Sequence, residues 1–102
     1  IQPAELRRLV ADVNAYNTAI AGAAASRGWT YYNPNPTLDS LRTVATAVRP
    51  FPLFNQPCTA NPFGTAFSCD AVHPSAATHR LLANKLIQLI NSTYGTRMLA
   101  IP

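Results

Sequence analysis

Between Pro3 and Ser26 the apolar residues Leu6, Leu9, Val10, Val13, Tyr16, Ile20 and Ala24 recur every three or four positions, with Arg7, Arg8, Asp12 and Asn14 mostly between them. This period predicts an amphipathic helix. Pro3 suits a first helical turn, and Gly28 suits a helix end, where a left-handed residue costs glycine little. The following Trp29-Thr30-Tyr31-Tyr32 is aromatic and β-branched, which predicts a short strand closed by the Asn33-Pro34-Asn35-Pro36 turn cluster. A helix running so directly into a strand suggests the second half of a βαβ unit.

A shorter helical pattern opens at Thr37, a candidate cap, with Leu38, Leu41, Val44, Ala45 and Val48 as its buried side, and it ends before Pro50. Pro50, Pro52, Pro57 and Pro62 then exclude a long helix or a central strand up to Phe67, so an ordered, aromatic-studded loop is expected. Helical spacing resumes from Pro74 to Tyr94 with Leu81, Leu82, Leu86, Leu89 and Ile90 near one face, and Gly95 is its stop. One strand is no sheet. Either the partner strands lie on another polypeptide, or the chain is a helix-dominated unit that associates with itself.

Composition sharpens that choice. Only 12% of the 102 residues are charged, about half the usual share, so part of the surface is expected to be covered. The net charge of +4 comes from Arg7, Arg8, Arg27, Arg42, Arg49, Arg80, Lys85 and Arg97, which form no basic run, and nucleic acid is not the expected partner. No apolar stretch reaches the roughly 20 residues of a membrane span. The chain opens on Ile1-Gln2-Pro3 without initiator methionine or signal peptide, which is compatible with processing or fragmentation. Cys58 and Cys69 flank a loop containing Pro62 and Gly64, a spacing that a local disulfide can bridge; two buried free thiols are the alternative. Asn91-Ser92-Thr93 matches a glycosylation acceptor but falls at the end of a helical pattern.

The chemistry concentrates in Phe67-Ser68-Cys69-Asp70-Ala71-Val72-His73-Pro74-Ser75-Ala76. An acid and a histidine three residues apart, just before a helix, can meet across one turn. The carboxylate then accepts the Nδ1 proton and fixes the tautomer whose Nε2 can take a proton from a nucleophile. Pro74 is expected at the first helical position, placing the ring near the positive end of the helix dipole, which Asp70 opposes. By spacing alone the same pair is more often a local hydrogen-bonded turn than a catalytic dyad.

The wider phrase Phe67-Ser68-Cys69-Asp70-Ala71-Val72-His73-Pro74-Ser75-Ala76-Ala77-Thr78-His79-Arg80-Leu81-Leu82-Ala83-Asn84 resembles the C-terminal block of SGNH (GDSL-like) serine ester hydrolases, whose hallmark is Asp-x-x-His-Pro running into the last helix. It is most similar to a bacterial branch of that family, and the likeness extends back through the Tyr16-Asn17 helix. The resemblance implies that residues 1–102 are the C-terminal segment of a single three-layer α/β/α sandwich, contributing one strand and flanking helices. It implies carboxylesterase or lipase chemistry on a small ester, without a cofactor, in a secreted or cell-envelope setting. Asp70 and His73 would then complete a triad with a serine from an N-terminal Gly-Asp-Ser motif, and a glycine and an asparagine from two middle blocks would help form the oxyanion hole. None of those blocks stands in this chain. The nucleophile is therefore expected from an N-terminal segment of the same hydrolase; the competing reading is a catalytically silent module that self-associates.

Three positions depart from the family pattern. Ala71 stands where glycine is common, Thr78 where the helix often has glycine, and Cys69 where an aliphatic residue is usual. A left-handed Ala71 would carry strain on the order of 1 kcal/mol. Ser68 and Ser75 lie near His73, but the family does not use those positions as nucleophiles; loop hydrogen bonding and helix capping are their simpler roles. Asp70, His73 and His79 lack zinc-enzyme spacing, and no metal site is expected. The aromatics of the proline-rich loop are expected to pack, with an acyl pocket as their alternative use.

Overall fold

A computed structural model describes all residues, 1–102, as two compact units, Ile1–Asn33 and Pro34–Pro102. The first is built on helix α1, Pro3–Ala25. The Gln2 backbone N–H donates to the Glu5 carboxylate at 2.7 Å, satisfying one of the donors a helix start leaves over. At the other end Gly28 takes φ +66°, and Trp29 N–H returns to the Ala24 carbonyl at 2.9 Å. Arg27 sits over the Trp29 ring, 5.5 Å from its centroid, a cation–π contact. The apolar stripe of α1 is uncovered: Leu6, Leu9, Val13 and Tyr16 are 39–70% exposed.

The second unit carries α2, Asn35–Leu41, and α3, Ala76–Tyr94, separated by turns and a single 3₁₀ turn at Cys58–Ala60. Its buried positions are small: Ala47, Pro62, Gly64, Ala66 and Thr78. Small residues suit a place where two backbone segments cross closely. Thr65 N–H and Ala66 N–H donate to the carbonyls of Thr46 and Ala47, both at 2.9 Å, and Arg49 N–H donates to Phe63 O at 3.3 Å. Gly64, at φ +99°, makes this approach possible, since a Cβ there would lie 2.2 Å from Ala47 O. The disulfide Cys58–Cys69 closes the same loop with Cα atoms 5.3 Å apart. By loop-closure entropy such a link contributes about 3 kcal/mol.

After Gly95, at φ +66°, the chain turns back and runs extended along α3. Asn91 and Asn84, seven residues apart, each clasp one tail residue: the amide donates to the carbonyl and accepts the N–H of Met98 and Ile101 respectively, at 2.7–3.0 Å. The match is geometric, because seven helical residues rise about as far as three extended ones span. Arg80 adds a bond to the Pro102 carbonyl at 2.9 Å. The Asn91 amide of the glycosylation triplet is thus engaged by the tail.

Several expectations are corrected. Trp29-Thr30-Tyr31-Tyr32 is not a strand; the structure is helix-rich and contains no strands, only an isolated antiparallel bridge between Phe67 and Pro74. Aromatic and β-branched content favours a strand only where a neighbour completes the ladder, and here none does. The second helix begins at Asn35, with Thr37 inside it, and stops at Leu41, leaving Val44 exposed. Helix α3 begins two residues later than expected, with Ser75 as its cap and Pro74 outside it. No helix is long and apolar enough to cross a membrane.

Candidate active site

Asp70 and His73 face each other across a turn that joins the crossing segment to α3. His73 Nδ1 lies 2.5 Å from Asp70 Oδ2, while Asp70 Oδ1 accepts the backbone N–H groups of Val72 and His73, each at 2.9 Å, and the Ser68 hydroxyl at 2.5 Å. One oxygen is saturated by the loop. The other is left for the imidazole.

These donors hold the Asp70 carboxyl well below the usual carboxylate range, with the Ser68 hydroxyl as the largest cause, then the His73 ring and the two backbone N–H groups. An ionised carboxylate only accepts, so Nδ1 carries a proton, and in the neutral ring the lone pair is on Nε2. Nε2 lies on the far edge of a side chain that is 75% exposed, within reach of a nucleophile outside the turn. Because the folded value lies below the ordinary 3.8, the contribution of this turn to stability is fully present above that pH and is lost as the pH falls below it. Replacing Ser68 by alanine is expected to move the Asp70 titration upward while leaving it below the ordinary value, since three donors remain. A ¹³C carboxyl titration would detect this; an unmoved midpoint would remove Ser68 from the turn's electrostatics.

The turn is bolted to its surroundings on both sides. Ser68 N–H donates to the His73 carbonyl at 2.8 Å, and Cys69, directly before the acid, is tied to Cys58. Ser75 caps α3 by accepting Thr78 N–H at 3.3 Å, and its own hydroxyl donates to Thr65 O at 2.7 Å. Thr78, buried, donates its hydroxyl to Ala66 O at 2.9 Å, and Ser75 N–H shares that carbonyl. Thr78 therefore anchors α3 beneath the dyad. Its part in the site was not legible, because a mid-helix threonine gives no sign of which distant carbonyl it will meet. Ser68 did carry a local sign, since a serine two residues before an acid readily closes a turn.

Ala71 adopts φ +63°, a left-handed conformation that places its neighbours' N–H groups on Asp70. Ala71→Gly is expected to stabilise the unit by about 1 kcal/mol in urea unfolding, by relieving that strain. A destabilised variant would mean that unfolded-state freedom outweighs it. The helix dipole acts less directly on His73 than expected, because the ring stands three residues before the first residue of α3.

Each of the five serine hydroxyls donates within the chain: Ser26 to Ala23 O, Ser40 to Thr37 O, Ser92 to Leu89 O, Ser75 to Thr65 O and Ser68 to Asp70. No internal serine is offered to Nε2. His79 is exposed, with its backbone N–H on Ser75 O, and no group of three or more His, Cys, Asp or Glu side chains could hold a metal ion. No family model, no curated protein and no solved structure matches this chain.

Proposed function

We propose that the chain supplies the acid and the histidine of an SGNH-type serine ester hydrolase, within a three-layer α/β/α sandwich completed by a segment that carries the Gly-Asp-Ser serine and the oxyanion donors. The observation that carries this reading is the short Nδ1 to Oδ2 contact at 2.5 Å on a carboxylate whose other oxygen is already saturated. That arrangement holds one tautomer ready for proton transfer. In the reaction Nε2 of His73 takes the serine proton as Oγ attacks the ester carbonyl carbon. The tetrahedral intermediate collapses, the alcohol leaves with that proton, and water repeats the sequence to release the acid. Asp70 keeps its proton count throughout and stabilises the imidazolium.

Two further observations fit. The closed Cys58–Cys69 disulfide suits an oxidising, secreted or cell-envelope setting. The uncovered stripe on α1, and a buried set made only of small residues, leave apolar surface for a partner segment to cover. That same stripe favours the second reading, a silent module that associates with copies of itself. A serine-reactive organophosphonate separates them. Co-expression with a segment bearing the Gly-Asp-Ser serine should give probe labelling and hydrolysis of a short-chain aryl ester. A stable homo-oligomer that takes no such segment and hydrolyses no ester would overturn the esterase reading.

A further inference from the structure

The aromatics of the proline-rich loop do not all pack as expected: Phe63 and Phe67 are half-buried, whereas Phe51 and Phe54 are 84% and 73% exposed. This is not the exposure of a loose end. Arg49 N–H donates to Phe63 O at 3.3 Å and its Nε to Asn61 O at 3.0 Å, Leu53 N–H donates to Pro62 O at 2.9 Å, and Cys58 is bonded to Cys69. Residues 50–57 are thus held at both feet and in the middle. Phe51 and Phe54 flank the anchored Leu53, and Phe54 shares the turn at the apex with Asn55, whose φ is +66°. A tip fixed in this way loses little freedom when something binds it.

Two features say what that something is. Pro50, Pro52 and Pro57 have no N–H to give, so the tip cannot be continued into a partner's helix or sheet. A lipid interface needs no such directional pairing: aromatic rings enter the boundary between headgroups and acyl chains, and the loop carbonyls stay among headgroups and water. The second feature is charge. Residues 40–69 contain Arg42 and Arg49 and no Asp or Glu. Arg42 is shared with Asp39 at 3.7 Å, and Asp70, next in the chain, is engaged by its own turn. Arg49 stands directly before the tip, donates Nε to a carbonyl and has no acidic partner, so a phosphate is the anion it fits.

We propose that residues 50–57 form a lipid-docking tip, in which Phe51 and Phe54 enter the interface of an anionic bilayer and Arg49 meets its phosphate groups. This is peripheral attachment, with no segment crossing the bilayer. It does not depend on ester hydrolysis, because exposed rings and an unpaired guanidinium meet a lipid surface whatever the dyad does.

The test is sedimentation of the chain with vesicles of phosphatidylcholine and phosphatidylglycerol, mixed at roughly four to one, against vesicles of phosphatidylcholine alone, and the anionic vesicles should bind about fivefold tighter or more. Phe51→Ser and Phe54→Ser should each weaken that binding about tenfold, with the Thr65 and Ala66 amide signals reporting an intact fold. Leu9→Ser, on the uncovered stripe of α1, should leave it unchanged. With Trp29→Phe as background, the emission of Phe54→Trp should move to shorter wavelength on vesicles and be quenched by brominated acyl chains. Absence of vesicle binding, or binding that both serine substitutions leave intact, overturns the proposal. Loss of binding with Leu9→Ser would make α1 the anchor and overturn it too. So would a Phe54→Trp emission that, once an N-terminal segment is bound, is already shifted and ignores vesicles, because a protein partner then covers the tip.

Discussion

Replacing His73 by alanine is expected, on the proposed esterase function, to lower turnover of the assembled protein by about 10⁴-fold, with KM for an aryl ester little changed. The size follows from the role. In the proposed reaction Nε2 is the acceptor for the serine proton, and the geometry provides no substitute, because the chain's other histidine, His79, sits six residues on along the chain, in α3. Asp70→Asn should cost nearly as much by a different route. An asparagine amide nitrogen in place of Oδ2 loses the bond from His73 Nδ1–H, and in place of Oδ1 it loses those from the Ser68 hydroxyl and the Val72 and His73 N–H groups. The ring would lose both its fixed tautomer and the charge that stabilises imidazolium. Steady-state kinetics on both variants, with foldedness checked by the Ser68 and Val72 amide signals, decides the matter. Wild-type turnover in either variant would remove the dyad from catalysis.

Gly64→Ala is expected to open the crossing under the site, at a cost of about 3 kcal/mol. Two penalties add: a side chain at φ +99°, and a Cβ placed 2.2 Å from Ala47 O and 2.9 Å from Val48 Cα. The three nearest obstacles, Ala47 O, Ala47 C and Val48 Cα, are all backbone, so no side chain can swing aside. The consequence is local and measurable. Thr65 and Ala66 N–H groups, bonded to Thr46 and Ala47, should exchange with solvent about 100-fold faster in the variant. Gly22→Ala is the control of opposite sign, since Gly22 lies within α1 with open space around it and should gain about 1 kcal/mol of helix stability. Exchange at Thr65 and Ala66 within twofold of the original would show that the backbone approach is not required.

Because Ala66 O receives both Ser75 N–H and the Thr78 hydroxyl, loosening this crossing also loosens the start of α3. The dyad stands between these two anchored pieces. The stability of the crossing and the placement of the dyad are thus linked through one carbonyl.

Helix α1 and most of α3 were legible in the residue pattern, because a period near 3.6 needs no distant partner to declare itself, and Gly28 and Gly95 mark ends where only the local backbone matters. The Asp70–His73 pairing was legible for the same reason: three residues of spacing bring the groups together within one turn. What only the tertiary structure decided depends on contacts between residues far apart in the chain. Trp29-Thr30-Tyr31-Tyr32 has strand composition but no neighbouring strand, so composition could not make it one. Gly64 against Ala47, Thr78 against Ala66 and the Asn84 and Asn91 clasps on the tail join positions 7 to 17 residues apart, and no local pattern foretells which carbonyl a polar group will reach. A cavity of about 330 Å³ belongs with these, since Leu38 and Val72 come to line one space only when the intervening loop has folded back on itself.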